Sequence, residues 1–206
     1  MCGDVCLQGG AEFAPGCEAM DATMLARPDG APRRVVIAPF AGRPGREQAM
    51  ASANARRWYL GLGAGQVRTA TPEPGDLADA LVDAELLVIP GGSPTRLLEA
   101  LAPHAGLLRA ANAAGLVISG ASAGAMVLCR WTVLPEGGSR VVPALGLVDV
   151  DLVVPHYRPG GAGWLDVARA VLPPDPVVLG LPERSGVVLR DGTRHPLGVD
   201  PVVDLR

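Results

Sequence analysis

Ser122 is the residue in this chain most suited to act as a nucleophile. It sits in Gly120-Ala121-Ser122-Ala123-Gly124-Ala125, directly after the apolar run Leu116-Val117-Ile118-Ser119 and directly before Met126-Val127-Leu128. That order reads strand, sharp turn, helix, and Gly-x-Ser-x-Gly at the turn is the nucleophile-elbow pattern. A serine held this way needs strained backbone angles and close approach by both flanking turns, which only small residues permit, and every neighbour here is Gly, Ala or Ser. The turn would lift the hydroxyl above the sheet and offer backbone N–H groups from the start of the helix to a developing oxyanion. A plainer reading is a tight βα turn with Ser122 as helix N-cap in a chain rich in Gly and Ala. The partners of Ser122 decide between the two.

A serine requires a base, and the chain has three histidines, His104, His156 and His195. His104 lies between predicted helices and His195 in a C-terminal hairpin, both ordinary solvent-facing places. His156 follows the strand Asp151-Leu152-Val153-Val154-Pro155 directly and should emerge at the same carboxyl edge of the sheet as Ser122, where α/β folds gather their sites. The acid that fixes the imidazole is expected to be Glu183, just past Val177-Val178-Leu179-Gly180-Leu181-Pro182, with Glu136 in a Pro/Gly-rich loop as the rival. Either acid could instead be a solvated loop residue or bind a substrate ammonium. Gly91-Gly92-Ser93, after the strand ending at Pro90, is expected to supply further backbone N–H donors, with Ser93 also suited to cap the next helix.

The elements that must position these residues alternate apolar β-branched runs with Ala/Leu-rich stretches, which predicts an α/β three-layer sandwich with a central, mostly parallel sheet and helices on both faces. Strands are expected at 34–39, 67–70, 85–90, 116–119, 150–154 and 177–181, and helices at 45–60, 76–81, 95–102, 106–114 and 164–171. Asp191-Gly192 between 186–190 and 194–198 is a hairpin signal, so a small antiparallel ribbon is expected at the C-terminal end. The 206 residues, with neither an internal repeat nor a long linker, read as one domain over 1–206.

Composition narrows the function classes. Hydrophobic residues make up 49% and charged residues 19%, a balance that argues for a folded chain rather than disorder. The net charge is −3 without a basic stripe, and aromatics are 3%, which speaks against nucleic acid as a partner. Apolar runs fall short of the roughly 18 residues of a membrane span, and no signal-like leader is read, so the expected setting is the cytoplasm, away from membrane. Cys2, Cys6, Cys17 and Cys129 form no CxxC and the histidines are few, so neither a metal site nor a disulfide framework is expected.

Four segments in order resemble the serine peptidase family of peptidase E (the aspartyl dipeptidase) and cyanophycinase. They are Leu87 to Leu98 with its Gly-Gly, the Gly-x-Ser-Ala-Gly-Ala of Gly120 to Ala125, Val154-Pro155-His156-Tyr157, and Gly180-Leu181-Pro182-Glu183. The resemblance runs from about Val35 to Gly198 and implies a fold like that of class I glutamine amidotransferase domains, with serine in place of their cysteine. It implies a peptidase acting on short, N-terminally aspartyl or β-linked aspartyl peptides, without metal or organic cofactor, and commonly as a homodimer. Ser122 would attack, His156 would serve as base and then acid, and Glu183 or Glu136 would orient it. Gly91, Gly92 and the Ala123 N–H would form the oxyanion hole. Peptidase E has a longer Arg/Glu-rich segment after its histidine, whereas this chain has Arg158-Pro159-Gly160-Gly161-Ala162-Gly163-Trp164. Arg158, and more remotely Arg169 or Arg184, is left to meet a substrate carboxylate. Two other classes remain open: an esterase with the chain order Ser, acid, His, in which His195 would be the base, and a ligand-binding module that keeps the fold without turnover.

Overall fold

Four short strands, two of them (34–37 and 86–89) made mainly of branched aliphatic residues, run side by side in the main sheet. They are β2 (Arg34–Ile37), β3 (Gln66–Thr69), β4 (Leu86–Ile89) and β5 (Val117–Ala121), joined by β1 (Val5–Gln8) and by the hairpin β10 (Ser185–Arg190) and β11 (Thr193–Gly198) in a seven-stranded sheet of order β11-β10-β1-β5-β4-β2-β3. The five strands from β1 to β3 run parallel, and β10 and β11 are antiparallel additions at one edge. The computed structural model describes residues 2–73, 75–135, 138–160 and 165–205.

Period-two alternation sorts the strand residues onto two faces. Cys6, Val35, Ile37, Leu86, Val88 and Val117 point one way, against Met24 and Leu25 of α1 (Glu18–Leu25) and Ala55 and Tyr59 of α2 (Arg46–Gly61). Leu7, Val36, Leu87, Ile89 and Ile118 point the other way, against α3 (Asp76–Leu81), α4 (Pro94–Leu101), α5 (Ala105–Ala113) and α6 (Ala123–Leu128). The three layers are those expected from the alternating pattern. The ribbon turn also follows it: Asp191 and Gly192 both have positive φ, 47° and 75°, as a two-residue turn matched to strand twist requires.

The sequence pattern misplaces two strands. β8 (Leu152–Pro155), which carries His156, does not join the central sheet; it pairs in parallel with β9 (Val178–Leu181) in a second sheet completed by β12 (Val203–Asp204). Its Leu152, Val153 and Val154, with Leu179 and Leu181 of β9, pack into the core on the α4–α6 face, so a run buried on both sides signalled a strand without saying which sheet owns it. The Pro/Gly-rich passage contains a further hairpin, β6 (Trp131–Leu134) with β7 (Arg140–Pro143). The helix expected from Trp164 is α7 (Leu165–Arg169), and Trp164 itself lies outside the described residues, as does Glu136.

Candidate functional site

Ser122 closes β5 with φ 50° and ψ −111°, an uncommon conformation for a residue with a β-carbon, and α6 begins at the next residue. The two glycines around it allow the packing that produces this bend. A methyl group on Gly120 would lie 2.6 Å from the Gly124 carbonyl carbon, and one on Gly124 would lie 2.1 Å from the Ile89 carbonyl oxygen, so α6 can rest on β5 and β4 only without them. The Ser122 N–H is anchored on the Gln8 carbonyl of β1 at 2.9 Å.

The Oγ of Ser122 lies 3.0 Å from His156 Nε2, and His156 Nδ1 lies 3.1 Å from Glu183 Oε1. The structure therefore brings together three residues singled out in the sequence, in the chain order Ser, His, Glu. The second sheet delivers both partners, because β8 ends at Pro155 and β9 at Leu181, in register. The His156 and Glu183 side chains are 48% and 45% exposed, so this row of contacts lies open to water rather than in the dry interior. His195 is elsewhere, on the exposed edge strand β11 with its Nε2 2.7 Å from Thr193 Oγ1, and it does not supply the base that the esterase order required. His104 belongs to the short 3-10 turn between α4 and α5.

Of the other residues expected at the site, Gly91 adjoins the serine: a methyl group on it would lie 3.1 Å from Ser122 Cβ. Its N–H donates to Glu12 Oε1 at 2.8 Å. Gly92 has φ 141° and packs on Ala41, and Ser93 caps α4 by accepting the Arg96 N–H at 3.3 Å. Ala123 is buried as the first residue of α6. Arg158 is exposed two residues beyond His156, Arg169 pairs with Asp166 on α7, and Arg184 donates its backbone N–H to the Gly10 carbonyl.

Sequence reasoning missed the β1–α1 loop, which forms the frame of the site. The Gly9 carbonyl accepts the His156 N–H at 2.8 Å, and the Gly9 N–H reaches the Ser185 carbonyl at 2.9 Å. Gly10, with φ 124°, leaves the space that the imidazole fills: a methyl group there would lie 2.2 Å from His156 Cε1. Val5-Cys6-Leu7-Gln8-Gly9-Gly10 repeats the strand and Gly-Gly pattern of Leu86 to Gly92, and that repetition was the available signal.

Beneath the serine, the buried Gln8 side chain donates to Asp21 Oδ1 at 2.7 Å and to Ser119 Oγ at 3.0 Å. Tyr59 Oη donates to Asp21 Oδ1 at 2.9 Å and Trp58 Nε1 to Asp21 Oδ2 at 2.8 Å. Burial raises the Asp21 carboxyl above its ordinary value, while these three donors oppose the shift by favouring the charged form. Cys17 is pushed up to about 11, chiefly by burial and then by Asp21, so it stays a thiol at neutral pH and donates to the Ala11 carbonyl at 3.3 Å.

Known proteins sharpen this picture. The model of peptidase family S51 matches residues 6–196. A crystal structure of a peptidase from an acI-B1 Actinobacterium is similar with a TM-score of 0.77 and 19% identity, over 100% of this chain and 98% of the other. A proposed peptidase E from Listeria monocytogenes EGD-e is similar with a TM-score of 0.71 and 16% identity, over 97% of this chain and 100% of the other. These two establish the fold, and no curated protein sequence matches the chain. The family match takes in β1 through most of β11, and with it the segments that bear Ser122, His156 and Glu183: the chain belongs to peptidase family S51 and is a serine peptidase.

Proposed function

We propose that the chain is a single-domain cytoplasmic dipeptidase that cleaves short peptides, N-terminal aspartyl peptides among them, through an acyl-enzyme formed on Ser122. The observation that carries this reading is the unbroken contact from Ser122 Oγ to His156 Nε2 at 3.0 Å and from His156 Nδ1 to Glu183 Oε1 at 3.1 Å. His156 takes the hydroxyl proton as Oγ bonds to the scissile carbonyl carbon, then returns that proton to the departing amine as the C–N bond breaks. Water repeats the sequence on the ester and releases the acid. Glu183 keeps the Nδ1 proton pointed at itself, so Nε2 presents its lone pair to the serine. In this reading the N–H groups of Gly91, Gly92 and Ala123 hold the oxyanion. Ser93 and Arg158 border the substrate, with Arg158 the nearest candidate to meet an aspartyl carboxylate.

The reading needs no metal or organic cofactor, and it allows a homodimer. A fluorophosphonate tests it: one probe should attach per chain at Ser122, and Ser122→Ala should abolish both labelling and peptide hydrolysis. His156→Ala should lower kcat/KM by roughly a thousandfold or more, and His195→Ala should leave it within about twofold. Failure of the folded protein to label, or hydrolysis surviving in Ser122→Ala, would refute the proposal.

A further inference from the structure

The Glu12 carboxylate engages a backbone N–H at the proposed oxyanion hole. Its Oε1 accepts the Gly91 N–H at 2.8 Å, and that N–H is a donor the proposed mechanism gives to the oxyanion. The side chain is half-buried, and among the described residues no cation forms an ion pair with it. The loop is built to keep it there. Ala11 and Phe13, on either side of Glu12, have φ of 55° and 58°, left-handed conformations that non-glycine residues adopt at a cost. Phe13 meets the Tyr59 ring edge-on with centroids 6.1 Å apart, and the Cys17 thiol holds the Ala11 carbonyl.

We infer that Glu12 is a specificity-determining residue: it occupies the oxyanion position at rest and yields it to acyl groups that carry a free α-ammonium on the residue whose carbonyl is attacked. The inference rests on Ser122 being the nucleophile. An α-nitrogen lies about 3–4 Å from the carbonyl oxygen of its own residue. A carbonyl seated on the Gly91 N–H therefore brings its ammonium beside the displaced carboxylate, which exchanges one charge-assisted hydrogen bond for another. An acylated amine brings no charge, and the carboxylate then competes with the substrate for the same N–H.

Two matched probes test this, diphenyl 1-aminoethylphosphonate and its N-acetyl form, alongside a small neutral fluorophosphonate. In each reaction a bond forms between Ser122 Oγ and phosphorus, phenoxide or fluoride departs, and His156 takes the serine proton. The wild-type protein should react about tenfold faster with the free-amine phosphonate than with its acetylated form, the size expected for one charge-assisted hydrogen bond. Glu12→Gln and Glu12→Ala should bring that ratio close to one, because neither offers a charge to the ammonium, and Glu12→Ala, which leaves no acceptor on the Gly91 N–H, should accelerate fluorophosphonate labelling several-fold. Glu12→Gln keeps the side-chain volume and serves if the alanine variant does not fold. A wild-type ratio near one, or a ratio unchanged in the variants while the fluorophosphonate labels all of them, overturns the role of Glu12 and leaves Ser122 standing. Absence of fluorophosphonate labelling in every folded protein overturns both.

Discussion

Truncating Glu183 to alanine removes the carboxylate that faces His156 without placing a new donor against the imidazole, as glutamine could. The cost follows from the position of the pair. Charge centres about 4 Å apart attract with ~1 kcal/mol in bulk water and ~4 kcal/mol at an effective dielectric constant of 20. With the two side chains 48% and 45% exposed, the imidazolium formed during attack draws an intermediate stabilisation from Glu183, about 2 kcal/mol or roughly 30-fold in rate. We therefore expect Glu183→Ala to lower kcat/KM for peptide cleavage, and the rate of Ser122 labelling by a fluorophosphonate, by about 10- to 100-fold. The gap between wild type and variant should narrow as salt is raised to about 1 M, where the screening length falls to about 3 Å. A loss below about twofold would refute the orienting role of Glu183. A loss near 10⁴, the scale associated with a buried triad carboxylate, would refute the argument that an open site weakens this contact.

Two further variants probe the packing around the serine. Asp21→Asn turns one oxygen acceptor into a donor that faces Gln8, Trp58 or Tyr59, and should cost about 1–3 kcal/mol in urea unfolding. Because the native Asp21 carboxyl is raised above 3.8, the folded chain holds this proton longer than the unfolded one. This residue therefore makes stability fall as pH rises from about 3.8 toward its raised native value, and then stay level; that component should vanish in Asp21→Asn, as melts across this range would detect. Gly124→Ala forces a methyl group to within 2.1 Å of the Ile89 carbonyl and should destabilise by about 1–3 kcal/mol or more, read as a drop of several degrees in Tm.

The sequence disclosed most about residues whose neighbours along the chain carry the signal. Ser122 was legible because small residues and the change from strand to helix lie on both sides of it, and Glu183 and His156 because each directly follows an apolar run. The seating of β8 in a separate sheet was not legible, since a strand buried on both faces reads the same in any sheet. Glu12, Gln8 and Asp21 escaped notice for a related reason. Their roles arise from contacts with Gly91, Ser119 and Tyr59, which are 79, 111 and 38 residues away along the chain, and no local pattern encodes such pairings. β1 escaped as well, because four residues that include a Cys and a Gln give too short an apolar run to stand out.

Ser122 and His156 hang from different sheets, and adjacent residues at the end of β1 hold them, the Gln8 carbonyl accepting the Ser122 N–H and the Gly9 carbonyl the His156 N–H. Under the proposed mechanism, a relay that straddles such a seam acts as a gauge of how the two sheets are docked. A lesion that tilts one slab by a fraction of an ångström could leave every strand intact and the protein abundant, yet silent. Under that mechanism, loss of activity without loss of fold is a failure mode written into this architecture, and remote substitutions along the seam belong beside Ser122, His156 and Glu183 in any account of inactive variants.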